Sequence, residues 1–275
     1  MAAYSISDSL LKLATERMPV PEVILLRGCF ASAMLLAIIL RTGDTQPRVF
    51  ARNPRVLVRA LFEVLLIVTY VNAIRDLPLG EAVAVIQTTP IFMTAWAAIV
   101  WKERVSTGGW LAILAGFIGI MLIVKPSASG ISLPMGLAIA SSAAAAGRDL
   151  ITRRISREVP SMMIAFTSVL ASALAGLALS LTEEWLAPTA ADLAVLAAAA
   201  AFVTIANYAI ILAYRASDVS VVTPFRYASV LFSLILSFMI WGHIPDLLSW
   251  IGIPIVVAAG LYTLTGGNLF RSKQR

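Results

Sequence analysis

Ten apolar stretches of about twenty residues follow one another along the chain, each bounded by charges, proline or glycine. They run roughly from Met1 to Arg17, Pro21 to Arg41, Asn53 to Arg75, Gly80 to Trp101, Thr107 to Val124, Leu133 to Arg157, Pro160 to Leu181, Ala191 to Ala216, Val219 to Trp241 and Leu247 to Gly266. An α-helix rises about 1.5 Å per residue, so about 20 residues cross the roughly 30 Å of hydrocarbon in a bilayer. Within lipid every backbone polar group needs an internal partner, and runs of this length meet that need as helices. The expected fold is therefore an all-α integral membrane protein with ten transmembrane helices. Composition agrees, with 60% of 275 residues hydrophobic, 13% charged and a mean hydropathy of +0.90. A soluble domain sits nearer half apolar and a quarter charged. A water-soluble globule, a nucleic-acid binder and a disordered chain are thereby excluded. The single Cys29 leaves no disulfide framework or multi-cysteine metal site, and the lone His243 leaves no histidine-based metalloprotease centre. No metal and no cofactor are expected.

The net charge of +6 acquires meaning from its placement. Assigning basic residues to alternating faces puts Arg41, Arg48, Arg52, Arg55, Arg59, Lys102, Arg104, Arg153, Arg154, Arg157, Arg215, Arg271, Lys273 and Arg275 on one side. The other side holds only Arg17, Arg75 and Lys125, while Lys12, Arg27, Arg148 and Arg226 fall inside spans. One missed or extra span would scramble this 14-to-3 asymmetry. By the positive-inside rule both termini are expected in the cytoplasm. The start lacks a basic n-region followed by a cleavage site, so it does not read as a signal peptide.

The chain also resembles itself at an offset of 140 residues (213 − 73). Ala73 falls on Ala213, Arg75 on Arg215, Phe92 on Phe232, Trp101 on Trp241 and Trp110 on Trp250, and spans fall on spans. Two five-helix units follow, residues 1–127 and 128–275. An odd number of crossings per unit inverts the second, relating the halves by a pseudo-two-fold axis in the membrane plane. The offset also predicts a first helix shortened at its start.

The paired five-helix repeats, Pro90 within the fourth span, the Trp101-Lys102-Glu103-Arg104 motif closing it and the Gly-rich fifth span resemble the drug/metabolite transporter superfamily, specifically its EamA-type branch. The resemblance covers essentially the whole chain. It departs at Trp241-Gly242-His243, where the family usually has a Gly-Glu pair, so any role of that second acid is absent here. The resemblance implies export of amino acids, including aromatic ones, or of other small metabolites, with spans 5 and 10 outside a cavity formed by the other eight. Similar-looking relatives take up a flavin or a sulfonium compound.

Polar side chains inside spans should face a bundle interior or a wet path, because each costs about 3 kcal/mol or more in hydrocarbon. They concentrate in eight spans and nearly avoid spans 5 and 10. Tyr4, Ser7, Tyr70, Asn72, Gln87, Thr88, Ser142, Asn207, Tyr208 and Tyr227 are the expected substrate-binding residues, with tyrosines stacking on the substrate and offering hydroxyls. Gln87 and Tyr227 coincide at the repeat offset and are the expected opposing walls of one site. Asp8, Lys12, Arg148, Asp149 and Arg226 are the charge or coupling candidates, and Arg226 or Arg27 could hold a carboxylate. Asp8 and Lys12 share a helix face, which fits either a structural ion pair or a coupling role for Asp8. Arg148 and Asp149 adjoin but should point apart, and Glu63 should bridge to Arg59 one turn away. Pro90 and Pro224 are expected hinges, since each removes a helical hydrogen bond. Six tryptophans near span ends read as interfacial anchors. The small-residue stripes Ser168, Ser172, Gly176, Ser180 and Ala112, Gly116 read as packing faces within one chain.

The expected function is a secondary transporter of the bacterial inner membrane working by alternating access, without a nucleotide motor, since no GxxxxGK[ST] loop is present. Its partners would be a small-molecule substrate and the lipid bilayer, with no nucleic acid, as a monomer or homodimer. No GxSxG or HExxH marks an enzyme. A non-transporting scaffold is the other alternative, and polar residues on eight spans weigh against it.

Overall fold

The computed structural model describes residues 1–43, 53–100, 102, 107–125, 131–152, 154–155, 158–181, 184–216 and 228–265, without the side chains of 94, 97, 124, 207, 208, 210–216 and 263–265. Among the described residues the regular structure is entirely helical. The helices are α1 (Ala2–Thr15), α2 (Val20–Thr42), α3 (Pro54–Asp76), α4 (Leu79–Ile86), α5 (Thr89–Val100), α6 (Thr107–Val124), α7 (Leu133–Thr152), α8 (Ser161–Ser180), α9 (Ala190–Ala216), α10 (Ala228–Trp241) and α11 (Leu247–Thr265). α4 and α5 are two halves of the fourth span, so the described helices make up ten spans. Boundaries fall within a few residues of the hydropathy reading, except that the start of the ninth span lies outside the described residues.

Local chemistry sets several helix ends. Asn53 Oδ1 accepts from Arg55 N at 3.2 Å to begin α3. Thr189 and Asp192 form a capping box on α9, each side chain taking the other's backbone N–H, at 3.2 Å and 3.0 Å. Gly43 and Gly242, at φ +66° and +69°, close α2 and α10 in the left-handed conformation that costs glycine least.

Four stretches, Val20–Thr42, Pro54–Asp76, Leu79–Val100 and Ser161–Ser180, are each long and apolar enough to cross a bilayer unaided. Leu40, Leu57, Ile99, Leu114, Leu174 and Leu231 project outward, more than half exposed, as a lipid-facing surface requires. Leu11, Val23, Val71, Ile74, Leu79, Val85 and Leu196 fill the interior.

The packing carries the internal symmetry. The most extensive pairs are α3 with α7, α2 with α8, α6 with α11 and α1 with α9, followed by α2–α9, α3–α8, α4–α10 and α1–α10. Exchanging the halves maps α1 onto α7, α2 onto α8, α3 onto α9, α4–α5 onto α10 and α6 onto α11. The α1–α9 pair then becomes α7–α3, α2–α9 becomes α8–α3, and α2–α8, α4–α10 and α6–α11 map onto themselves. The chain is therefore two inverted five-helix repeats around a central axis. α6 and α11 pack mainly on each other at the periphery, with smaller contacts to the fourth span. A Cβ on Gly252 would lie 2.7 Å from Gly119 O, and one on Gly176 would lie 2.6 Å from Leu25 N. The small-residue stripes are thus contact faces between helices of one chain, as their spacing suggested.

Candidate functional site

The centre of the bundle holds more charge than its apolar surroundings would tolerate unpaired. On the α1–α3 side, Tyr70 Oη donates to Asp8 Oδ2 at 3.0 Å. Arg27 of α2 feels the charges of both Asp8 and Glu63, with Tyr4 in the same field. Lys12 takes no part in this group. Its Nζ donates to Ile74 O at 2.5 Å and Leu77 O at 2.6 Å, and lies 5.5 Å from the centre of the Trp241 ring. The ion pair expected from the Asp8–Lys12 spacing is replaced because the last carbonyls of α3 have no helical donor and attract a cation.

A second group lies where α3 crosses α7 and α8. Arg148 Nη1 bonds Glu63 Oε2 at 3.2 Å, and its Nη2 reaches Asp149 Oδ1 at 2.8 Å. Two expectations are corrected here. Arg148 and Asp149 do not diverge, since the long arginine folds back on its neighbour. Glu63 bonds Arg148 across the helix interface, and Arg59 turns to Thr152 Oγ1, at 2.8 Å, and Ser168 Oγ.

Between these groups is a cavity of about 60 Å³ enclosed by α2, α3, α8 and α9. Arg27, Gly28, Glu63, Ser172 and Thr204 line it together with aliphatic side chains. All come from the middle of their helices, and the four helices are two pairs exchanged by the pseudo-two-fold, so the cavity lies near mid-depth around that axis. Arg27 Nε and Thr204 Oγ1 are buried and make no hydrogen bond.

The fourth span breaks at Gln87 and Thr88, just before Pro90. Proline supplies no N–H, so Ile86 O loses its helical donor. Thr89 Oγ1 at 2.5 Å and Ser142 Oγ at 3.3 Å take that place, and Thr88 Oγ1 bonds Val85 O at 2.7 Å and Ser142 Oγ at 2.8 Å. Thr88 and Ser142, read as substrate-binding, thus have their hydroxyls engaged in repairing the break. Gln87 caps α4 and is buried. Ser7 Oγ is similarly engaged by Ala199 O at 2.9 Å, tying α1 to α9, and Asn72 Nδ2 by Val68 O at 2.8 Å in its own helix. The side chains of Asn207 and Tyr208, and all of Pro224, Arg226 and Tyr227, lie outside the described residues.

Trp110, Trp185 and Trp250 are about half exposed near span ends, as interfacial anchors are. Trp96 differs: it meets Phe62 edge-on, centroids 5.9 Å apart, beside Met93, Ala146 and Leu150. Sequence reasoning passed over Glu22, fully buried at the start of α2, whose Oε1 accepts from Leu186 N at 2.8 Å. The available signal was an acid directly after Pro21, where the helix N-terminus favours negative charge.

The model of the EamA-like transporter family matches the chain twice, over residues 1–125 and 132–265. The chain belongs to the EamA-like transporter family. Among its curated relatives, a riboflavin transporter of Rhizobium johnstonii is 28% identical, covering 76% of this chain and 70% of its own. The pseudopaline exporter CntI of Pseudomonas aeruginosa is 23% identical over 93% of this chain and 90% of its own. An S-adenosylmethionine uptake transporter of Rickettsia prowazekii is 22% identical over 96% and 89%. A solved crystal structure shares the fold at a TM-score of 0.65 and 20% identity, covering 96% of this chain and 95% of its own. The EamA chain is accordingly a multi-pass membrane transporter for a small molecule.

Proposed function

We propose that this EamA protein is a secondary transporter exporting neutral or aromatic amino acids, or related small metabolites, across the bacterial cytoplasmic membrane. The two halves, residues 1–127 and 128–275, would rock about the central site to expose it to each side in turn. One observation carries the reading. Among the described residues the partly buried central charges are Asp8, Glu63 and Asp149 against Arg27, Arg59 and Arg148, three of each sign. Such a balanced group favours an occupant of zero net charge, because an extra ion would stand uncompensated in low dielectric. The family's transporters and the distribution of polar groups over eight spans are consistent with it. Both termini are assigned to the cytoplasm on the 14-to-3 bias of basic residues. Gln87, with Tyr227 from the other half, would line the path beside the broken fourth span.

A second reading, uptake of a cofactor-like metabolite such as a flavin, is favoured by the riboflavin transporter at 28% identity. Counterflow in proteoliposomes, across the amino acids plus riboflavin and with and without a pH gradient, separates the two. Exchange of amino acids is expected. Exchange of riboflavin alone would transfer the case to the second reading, and no exchange of any solute by verified, correctly inserted protein would end both.

A further inference from the structure

The cavity among α2, α3, α8 and α9 is walled mostly by hydrocarbon. Ile24, Ala31, Leu35 and Ile67 of the first repeat and Val169 and Val203 of the second line it. The polar atoms of its other lining residues are largely covered or engaged. Arg27 Nε and Thr204 Oγ1 are covered, Ser172 Oγ donates to Ser168 O at 3.0 Å, and Glu63 Oε2 is bonded by Arg148. A polar guest finds few partners in such a space, and cavities with aliphatic walls hold apolar groups instead. We propose that this cavity is a side-chain pocket for the transported substrate, which takes a branched aliphatic group of three or four carbons and excludes an aromatic ring.

The proposal rests on the transport reading above and narrows it from neutral or aromatic amino acids to aliphatic ones. Size sets the class. The volume of about 60 Å³ is several times the roughly 15 Å³ that one water needs, and less than half of the roughly 150 Å³ that admits benzene. Position separates the pocket from a packing void within one half of the chain. Its six aliphatic side chains come from both repeats at mid-depth, so the walls part and rejoin as the halves rock. The repeat also departs from its own symmetry here: Val203 stands at the position equivalent to Glu63 (63 + 140), and valine in place of a second carboxylate keeps that wall apolar. Ala31 and Val203 contribute one short side chain from each repeat, so carbon added to either takes up space that the substrate would fill.

The test is counterflow of alanine, valine, leucine, phenylalanine and riboflavin by the full chain and by Ala31→Val, Val203→Leu and Val203→Ala. In the parent, half-saturation by leucine or valine should lie about 10-fold or more below that by phenylalanine, since one methylene in an apolar pocket already changes selectivity about 10-fold. Ala31→Val and Val203→Leu fill the pocket and should raise the leucine-to-alanine ratio of half-saturation about 10-fold. Val203→Ala enlarges it and should lower the phenylalanine-to-leucine ratio about 10-fold. Added carbon can disturb folding, so Val203→Ala, which only removes carbon, and the parent's own order of preference decide the matter if the filled variants do not fold. Ratios within twofold of the parent in Val203→Ala or in a folded filled variant, or a parent that takes phenylalanine as readily as leucine, would overturn the pocket and leave transport standing. Exchange of riboflavin without the aliphatic amino acids would overturn it as well, in favour of the second reading. Absence of all exchange by verified, inserted protein would remove the transport reading itself.

Discussion

Replacing Lys12 by methionine should loosen one end of the bundle. The Lys12 ammonium, itself 4% exposed, joins α1 to the end of α3 through Ile74 O and Leu77 O, at 2.5 Å and 2.6 Å, and contacts the Trp241 ring of α10. Beside it, Trp241 Nε1 bonds Glu16 Oε1 at 2.5 Å and Arg17 faces Asp192 of α9 at 3.9 Å, so the ends of four spans converge on this point. Two hydrogen bonds from a charged donor contribute about 1.5–3 kcal/mol each. Desolvating the ammonium offsets several kcal/mol of that sum, leaving a net of about 2 kcal/mol, or about 30-fold in an opening equilibrium. Methionine keeps the stem and leaves no stranded charge. The assay is maleimide labelling in detergent of Ser9→Cys, a near-isosteric replacement of a buried residue on the same face of α1 one turn deeper, in a Cys29→Ser background. Labelling should accelerate about 30-fold in Lys12→Met and much less in Lys12→Arg. A rate within twofold of the parent would refute the idea that these carbonyl bonds hold the end shut.

Three other outcomes follow from the geometry. Arg148→Leu strands Glu63 and Asp149 without their shared cation and should destabilise the protein by about 3–5 kcal/mol, whereas the triple change Glu63→Gln, Arg148→Leu, Asp149→Asn should recover much of that loss; denaturation in detergent measures both. Gly176→Val forces side-chain carbon into Leu25 N and Pro21 O of α2 and should cost about 1–3 kcal/mol, while the same change at Gly136, which has open space around it, should cost only the helix-propensity difference; a melting comparison that ranked them equally would count against the packing assignment. Asp246, outside the spans, has its carboxyl held down to about 2 by the bond from Lys125 Nζ, 2.6 Å away, and by the Ser249 N–H. A depressed carboxyl stabilises the folded chain above its unfolded value of about 3.9, and that contribution disappears as pH falls from about 4 through about 2. Asp246→Asn should therefore lower the melting temperature at pH 7 and make progressively less difference below pH about 4; a constant difference across that range would contradict the ion pair.

Span number, the two-repeat plan and the peripheral position of the fifth and tenth spans were legible because each depends on the length and mean polarity of a continuous stretch, and lipid converts those directly into crossings. The break in the fourth span was legible too, since a missing N–H at Pro90 has the same local consequence in any helix. The partners of the charged side chains were not. Helical spacing offered Lys12 as one possible partner of Asp8 and gave Arg59 to Glu63, and neither ion pair forms for one reason: within a packed bundle an interhelical partner in low dielectric outcompetes a neighbour four residues away.

Local composition alone thus determined how many times this EamA chain crosses the bilayer, where its basic residues gather, and that its halves repeat. Which of the central charges neutralise one another, and that Arg27, Glu63, Ser172 and Thr204 line one cavity, was decided only when α2, α3, α8 and α9 crossed at mid-depth. Long side chains on separate helices acquire neighbours through crossing positions and interaxial distances, and neither quantity is encoded in the spacing of residues along any one span.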